Sequence, residues 1–198
     1  RLGAMVHGGI ERDRLQFNED TLWAGGPHSY AHPGAAAHLP ELRRLLLEGK
    51  QREAEELASE HFMSIPIRQM AYQPFGDVEL EFDGVEDAEA YRRSLDIETA
   101  IARTSYRTSG FAFEREVFAS HPDRAILIAV RTSGEGLLNF SIRLTSPHEQ
   151  STVEPADAQT LQLTGRVADV TTREGMQHES AIRFAAQLRV LETDGDLT

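Results

Sequence analysis

Alternating apolar and polar positions dominate the chain beyond Tyr72 and predict a series of short β-strands. Val78, Leu80 and Phe82 alternate with acidic residues, and similar runs follow at 97–106, 111–119, 138–144, 161–163 and 182–190. Turn signals separate them at Thr108-Ser109-Gly110, Gly134, Pro147, Pro155 and Gly175. Short strands with turns at about 8–12-residue spacing are typical of an antiparallel β-sandwich.

The first 18 residues predict a hairpin. Residues 2–10 form a glycine-bearing apolar run, Glu11 to Arg14 a polar turn, and Leu15 to Asn18 a returning strand with Leu15 and Phe17 on one face.

Two short helices are predicted within residues 40–62. Residues 25–40 have no period and indicate a loop, after which Pro40 suits a first helical turn and Leu42, Leu45 and Leu46 repeat at helical spacing as far as Gly49. Residues 51–62 repeat the helical period before Pro66. With no internal repeat, residues 1–198 are predicted to form a single, mainly β domain with a short two-helix insertion.

The amino-acid composition narrows the range of possible functions. The longest apolar run, 125–130, has strand length, far below the roughly 20 residues of a membrane-spanning helix. A net charge of −12 disfavours nucleic acid as a partner. The absence of cysteine excludes a disulfide framework, a thiolate metal site and a cysteine nucleophile.

The acidic triplet Asn18-Glu19-Asp20 is the best candidate for acid–base chemistry. Glycoside hydrolysis uses two carboxyl groups about 5–10 Å apart. Adjacent residues of an extended chain point to opposite faces, so one of them would need a distant partner such as Asp77 or Glu116. The favoured interpretation is that the triplet hydrogen-bonds the turn that follows it.

The other candidate residues also have both a functional and a structural interpretation. Trp23 beside Gly25-Gly26-Pro27 could stack on a sugar, but a core or interface tryptophan is favoured. The histidines His28, His32 and His38 lie on no predicted helix, so we predict surface histidines and no metal site. Arg115, between two glutamates, is interpreted as a solvent-face charge, as is the Arg92-Arg93 pair. Neither a Gly-x-Ser-x-Gly elbow nor a phosphate-binding loop occurs.

The order of several motifs resembles the N-terminal domain of bacterial α-L-fucosidases of glycoside hydrolase family 95. The motifs are Arg1-Leu2-Gly3-Ala4-Met5-Val6, Gly8-Gly9, Asn18-Glu19-Asp20-Thr21-Leu22-Trp23, Gly25-Gly26-Pro27, Glu48-Gly49-Lys50, Tyr72-Gln73-Pro74-Phe75-Gly76-Asp77, Tyr91-Arg92-Arg93-Ser94-Leu95-Asp96, Arg115-Glu116-Val117-Phe118-Ala119-Ser120 and Ser146-Pro147-His148. His7 and Phe75 depart from the family pattern, and the usual lead before Arg1 is absent. We therefore expect a trimmed fragment of a larger hydrolase.

The resemblance implies a super-sandwich type of β-sandwich that precedes an (α/α)6 catalytic barrel. Members of the family invert the anomeric centre of terminal α-L-fucosyl, or α-L-galactosyl, groups, using a glutamic acid and an aspartate in the barrel. No catalytic residue therefore transfers to this chain, which is expected to be inactive alone and to need no cofactor. The implied glycan substrate favours an extracellular or periplasmic location, and no membrane partner is expected.

Three hypotheses follow. In the leading one, the chain is a non-catalytic sandwich that packs on the missing barrel, with Asn18, Glu19, Asp20, Trp23 and His28 at the domain interface or the rim of the substrate pocket. In the second, it is an autonomous carbohydrate-binding module in which Trp23 and Tyr30 form a stacking surface. The third is a purely structural assembly domain.

Overall fold

Thirteen β-strands and two α-helices are present in the described residues of the computed structural model, which are 1–85, 87–108, 111–133, 138–173 and 175–198. In chain order they are β1 Leu2–Val6, β2 Arg12–Glu19, α1 Ala35–Leu47, α2 Gln51–His61, β3 Gly76–Phe82, β4 Glu89–Asp96, β5 Ile101–Thr108, β6 Phe111–Ser120, β7 Ala125–Ser133, β8 Phe140–Thr145, β9 Ser151–Asp157, β10 Thr160–Arg166, β11 Val170–Thr171, β12 Gln177–His178 and β13 Arg183–Arg189.

The backbone divides into two compact units. The first comprises Arg1–Trp23, Tyr72–Ala168 and Ile182–Thr198, and the second comprises Ala24–Ala71 and Asp169–Ala181. The prediction that residues 1–198 form one domain stays a prediction.

The first unit contains three antiparallel sheets, with strand orders β1-β2-β3-β8, β4-β5-β6-β7 and β13-β10-β9. Along β3, every second residue from Gly76 to Phe82 is buried, as the alternation predicts. Phe82 of the first sheet meets Phe113 of the second edge to face, with ring centroids 5.2 Å apart. The two four-stranded sheets thus share a core, and the predicted antiparallel β-sandwich with two helices is confirmed.

A buried ion pair joins these two sheets. Arg115 Nη2 on β6 lies 2.7 Å from Asp13 Oδ2 on β2, and neither side chain is exposed to solvent. The guanidinium lies 5.6 Å from the ring centres of both Phe82 and Phe113. Burial lowers the pKa of Arg115, and the Asp13 carboxylate opposes that shift. Placing Arg115 on the solvent face was therefore wrong; its strand neighbour Glu116 faces outward instead and binds Arg103.

The same ion pair forms hydrogen bonds with Gly9, in the turn between β1 and β2. Asp13 Oδ1 accepts the Gly9 N–H at 2.9 Å, and Arg115 Nη2 donates to the Gly9 carbonyl at 3.1 Å. A Cβ at Gly9 would lie 1.8 Å from the Arg12 carbonyl oxygen, and Gly8 has a φ of +74°, so both positions require glycine. The predicted polar turn at 11–14 was wrong, because β2 begins at Arg12 and buries Asp13.

The second unit contains both predicted helices. Helix α2 matches its predicted bounds to within one residue, whereas α1 begins at Ala35 and includes Pro40 in its interior. The early start was missed because Ala35 to Ala37 have high helical propensity but no apolar–polar contrast that could reveal a period. Within the described residues, neither helix has the length and apolar character that a membrane span requires.

Two edge strands, β4 and β9, lack the alternation that predicted the other long strands, although Arg92 and Arg93 of β4 were correctly placed on the solvent face of a strand. Every residue of β4 is exposed, so its sequence shows no alternation, and β9 contains Pro155, which had been assigned to a turn. Proline is accepted in β9 because this strand lies at the edge of its sheet. The predicted turn residues Ser109, Gly110 and Gly134 lie outside the described residues, whereas Gly175 does occupy the turn between β11 and β12.

We expect Arg115→Met to lower the free energy of unfolding by about 3–5 kcal/mol, because it leaves the Asp13 carboxylate buried without a counter-charge. Urea denaturation measures the change. The matched control is Arg103→Met, which removes a partly exposed pair with Glu116 and should cost less than about 1 kcal/mol. Equal effects of the two substitutions would contradict the role assigned to the buried pair.

Candidate functional site

The acidic triplet lies at the end of β2, where hydrogen bonds fix all three side chains. Asn18 Oδ1 accepts the Phe75 N–H at 3.3 Å, which ties the end of β2 to the chain entering β3. Glu19 accepts the N–H of Thr21 at 2.9 Å and is also bonded by the Thr21 hydroxyl. Glu19 therefore binds the turn that follows it, as the sequence interpretation held, whereas Asn18 reaches a different strand.

Glu19 also contacts the first residue of the sequence. The main-chain nitrogen of Arg1 lies 2.8 Å from Glu19 Oε1. Together with the hydrogen bonds from Thr21, this contact gives the Glu19 carboxylate several donors, and donors of this kind favour the ionised form of a carboxyl group. A general acid instead needs a pKa raised toward the working pH.

The more distant carboxylates proposed as partners are also paired with cations. Asp77 lies 3.4 Å from Arg14 Nε. Glu116 lies 2.6 Å from Arg103 and 3.2 Å from Arg131, and the Arg103 hydrogen bond lowers the pKa of Glu116. Asp77 and Glu116 are thus both engaged in ion pairs with arginines.

Trp23 belongs to an aromatic pair at the surface of the first unit. Its ring meets Tyr72 edge to face at a centroid distance of 5.3 Å, and the two backbones form an isolated antiparallel bridge. Trp23 Nε1 donates to the Asp20 carbonyl at 2.9 Å, and the Tyr72 hydroxyl donates to the Glu19 carbonyl at 3.0 Å. Tyr72 remains 42% exposed and Trp23 is half-buried, so the pair offers an aromatic surface to a ligand or another domain.

Sequence reasoning did not single out Tyr72 as a functional residue. It begins the motif that ends at Asp77, but nothing local indicates that it pairs with Trp23. Only the backbone bridge between distant segments brings the two rings together.

His28 lies in the second unit. Its Nδ1 lies 2.7 Å from the Gly26 carbonyl oxygen, and its ring packs on Tyr30 at 4.2 Å and on His178 at 5.3 Å. Of the five predicted site residues, Asn18, Glu19, Asp20 and Trp23 lie in the first unit, whereas His28 lies in the second.

The other histidines of the loop make separate contacts. His32 Nδ1 lies 3.1 Å from the Met63 carbonyl oxygen, and His38 stacks on His61 at 4.3 Å. Among the described residues, no group of three or more His, Asp or Glu side chains is arranged to hold a metal ion.

The fold defines the class of protein, an antiparallel β-sandwich carrying a helical pair. The family described as "Glycosyl hydrolase family 65, N-terminal domain" matches residues 1–198, and the chain belongs to this family.

Curated relatives are named as fucosidases. The chain is 39% identical over 165 residues to "Alpha-L-fucosidase 2" of Arabidopsis thaliana, an alignment that covers 81% of this chain and 19% of that protein. It is 28% identical over 157 residues to "Probable alpha-fucosidase A" of Aspergillus niger, covering 74% of this chain and 19% of that protein. The chain thus spans about one fifth of the length of these relatives. The predicted resemblance to an α-L-fucosidase N-terminal domain is confirmed.

Proposed function

We propose that the chain is the non-catalytic N-terminal sandwich of an inverting α-L-fucosidase-like hydrolase that acts on terminal α-L-fucosyl, or α-L-galactosyl, groups of glycans. The observation that carries the proposal is the match of the whole chain to a glycoside hydrolase N-terminal family, together with relatives named as fucosidases. These relatives are about five times longer than their aligned part, so most of such a protein lies beyond the sandwich.

The charges of the chain support a non-catalytic role. Inverting hydrolysis needs one carboxylic acid that keeps its proton near neutral pH and one carboxylate that activates water. Glu116 instead has a lowered pKa because Arg103 hydrogen-bonds to it, and Glu19 accepts hydrogen bonds from Thr21, which favour its ionised form. We infer that both catalytic carboxyl groups belong to a separate (α/α)6 domain of the same polypeptide.

An exposed apolar segment of the second unit supports packing against such a domain. Four of the six residues that follow α2 are large apolar side chains at least 36% exposed, namely Phe62, Met63, Ile65 and Ile67. Hydrogen bonds fix the backbone of this segment, from Ile65 N–H to the Tyr30 carbonyl and from Met63 N–H to the Ala58 carbonyl. A contiguous apolar surface on an ordered backbone is typical of an interface.

The residues Asn18, Glu19, Asp20, Trp23 and His28 complete the proposal as interface or pocket-rim residues. The Trp23–Tyr72 pair supplies the partly exposed aromatic surface that such a position requires.

Residues 1–198 alone should not hydrolyse an aryl α-L-fucoside, whereas the longer protein containing them should. Release of the aryl group, followed by absorbance at equal molar concentrations, measures both rates. Comparable turnover by the 198-residue chain would refute the non-catalytic role, and lack of activity in the longer protein would refute the fucosidase assignment.

The interface is tested by Ile67→Ser, because Ile67 is 49% exposed in this chain. In residues 1–198 the substitution should change the free energy of unfolding by less than about 0.5 kcal/mol. In the longer protein the substitution should lower the free energy of unfolding by about 1–2 kcal/mol, since the proposed interface buries the side chain. Ile97→Ser, at a position 90% exposed in a turn, is the control and should be neutral in both. Neutral behaviour of both variants in the longer protein would remove this segment from the interface.

A carbohydrate-binding module is the second candidate function, and the exposed edge of the Trp23–Tyr72 pair favours it. Tyr30 is a weaker part of that hypothesis, because the His28 ring covers it at 4.2 Å.

For a binding module, calorimetric titration of residues 1–198 with a fucosylated oligosaccharide should give millimolar or tighter binding that Trp23→Ala abolishes. Phe118→Ala, which removes another partly exposed aromatic ring, should leave the binding unchanged. Absence of heat with the unmodified chain would leave the structural role as the function of this domain.

A further inference from the structure

Two histidines of the second unit, His28 and His178, each have a ring nitrogen without a hydrogen-bond partner among the described residues. The rings of His28 and His178 lie 5.3 Å apart between centroids and are inclined by 42°. The Nε2 atoms of both rings are buried, and neither has a hydrogen-bond partner among the described residues. Both residues are otherwise only half-buried, so parts of each side chain reach solvent.

The protonation of His28 follows from its one hydrogen bond. Its Nδ1 lies 2.7 Å from the Gly26 carbonyl oxygen, which can only accept, so Nδ1 carries the proton. In the neutral ring, Nε2 then presents a lone pair. A backbone carbonyl that orients one ring nitrogen while the other coordinates is the usual second contact of a metal-binding histidine.

The distance between the ring centres allows the two rings to share one ion. A tetrahedral ion at about 2.0–2.1 Å from each nitrogen lies about 3.2 Å from each ring centre, which places the two centres roughly 5.2 Å apart. The observed centroid distance is 5.3 Å. Ordinary aromatic packing allows this distance too, but it does not account for two buried nitrogens without partners.

We propose that His28 and His178 bind a first-row divalent transition-metal ion of the zinc class through their Nε2 atoms. Imidazole suits Zn²⁺, Ni²⁺ and Cu²⁺, whereas Mg²⁺ and Ca²⁺ prefer oxygen ligands. No third His, Asp or Glu of the described residues joins the pair as a ligand, so the remaining coordination positions would be left for water or an external donor.

A second histidine pair in the same unit serves as an internal control. His38 and His61 stack almost parallel, with centroids 4.3 Å apart and planes inclined by 9°. The lone pairs of stacked rings lie in parallel planes and do not converge on one ion. This pair therefore should not bind the metal in the same way.

The test is calorimetric titration of the 198-residue chain with Zn²⁺, and with Mg²⁺ for comparison, at neutral pH. We expect one Zn²⁺ per chain, no heat with Mg²⁺, and at least about tenfold weaker Zn²⁺ binding in His178→Ala, since loss of even an outer contact of a ligand costs 10–100-fold. His38→Ala should bind Zn²⁺ as the unmodified chain does. Circular dichroism verifies that each variant is folded.

A second measurement needs no substitution. On addition of Zn²⁺, the imidazole ¹⁵Nε2 resonances of His28 and His178 should shift, while those of His38 and His61 should not. Absence of Zn²⁺ binding, equal weakening by His38→Ala and His178→Ala, or shifts confined to the His38–His61 pair would each overturn the proposal.

Discussion

The ion pair between Asp13 and Arg115 is the interaction on which the first unit depends. It takes two full charges out of water, which costs several kcal/mol for each ion and is only offset by close contact and further hydrogen bonds. Here Gly9 supplies one such bond to each side chain, from its N–H to Asp13 and to its carbonyl from Arg115, and Phe82 and Phe113 flank the guanidinium, whose Nε and Nη1 have no hydrogen-bond partner among the described residues. An alignment of β2 and β6 that separated the two charges would leave them buried without a counter-ion, which is strongly destabilising.

The position of the candidate site follows from that constraint. Asp13 fixes β2 against β6, and the antiparallel register of β2 with β3 then pairs Phe17 with Gly76. A Cβ at Gly76 would lie 2.4 Å from the Thr145 carbonyl oxygen, so the close approach of β3 and β8 also depends on glycine. Beyond this point Asn18 bonds Phe75 and Trp23 meets Tyr72. The aromatic pair thus lies just beyond the end of β2 and the start of β3.

The distribution of charge and apolar surface supports the proposed non-catalytic role. Asp77 and Glu116 are paired with arginines, whereas exposed apolar side chains gather in the segment that follows α2. An enzyme active site usually shows the opposite pattern, with carboxyl groups whose pKa values are raised and a concave pocket around them. The proposed zinc-class site adds a ligand-binding capacity that does not depend on glycan chemistry.

Local sequence pattern determined the class of fold, most strands, the existence of both helices and the family resemblance. Alternation reports which face of a strand is apolar, so β3 and the apolar strand β7 could be predicted, and Gly8-Gly9 and Asn18 to Trp23 carried the resemblance. Only the tertiary structure decided that Arg115 is buried, that Trp23 pairs with Tyr72, and that His28 meets His178. Each of these depends on a partner far away in the chain, and an arginine between two glutamates has the same local pattern whether its strand faces water or a buried aspartate.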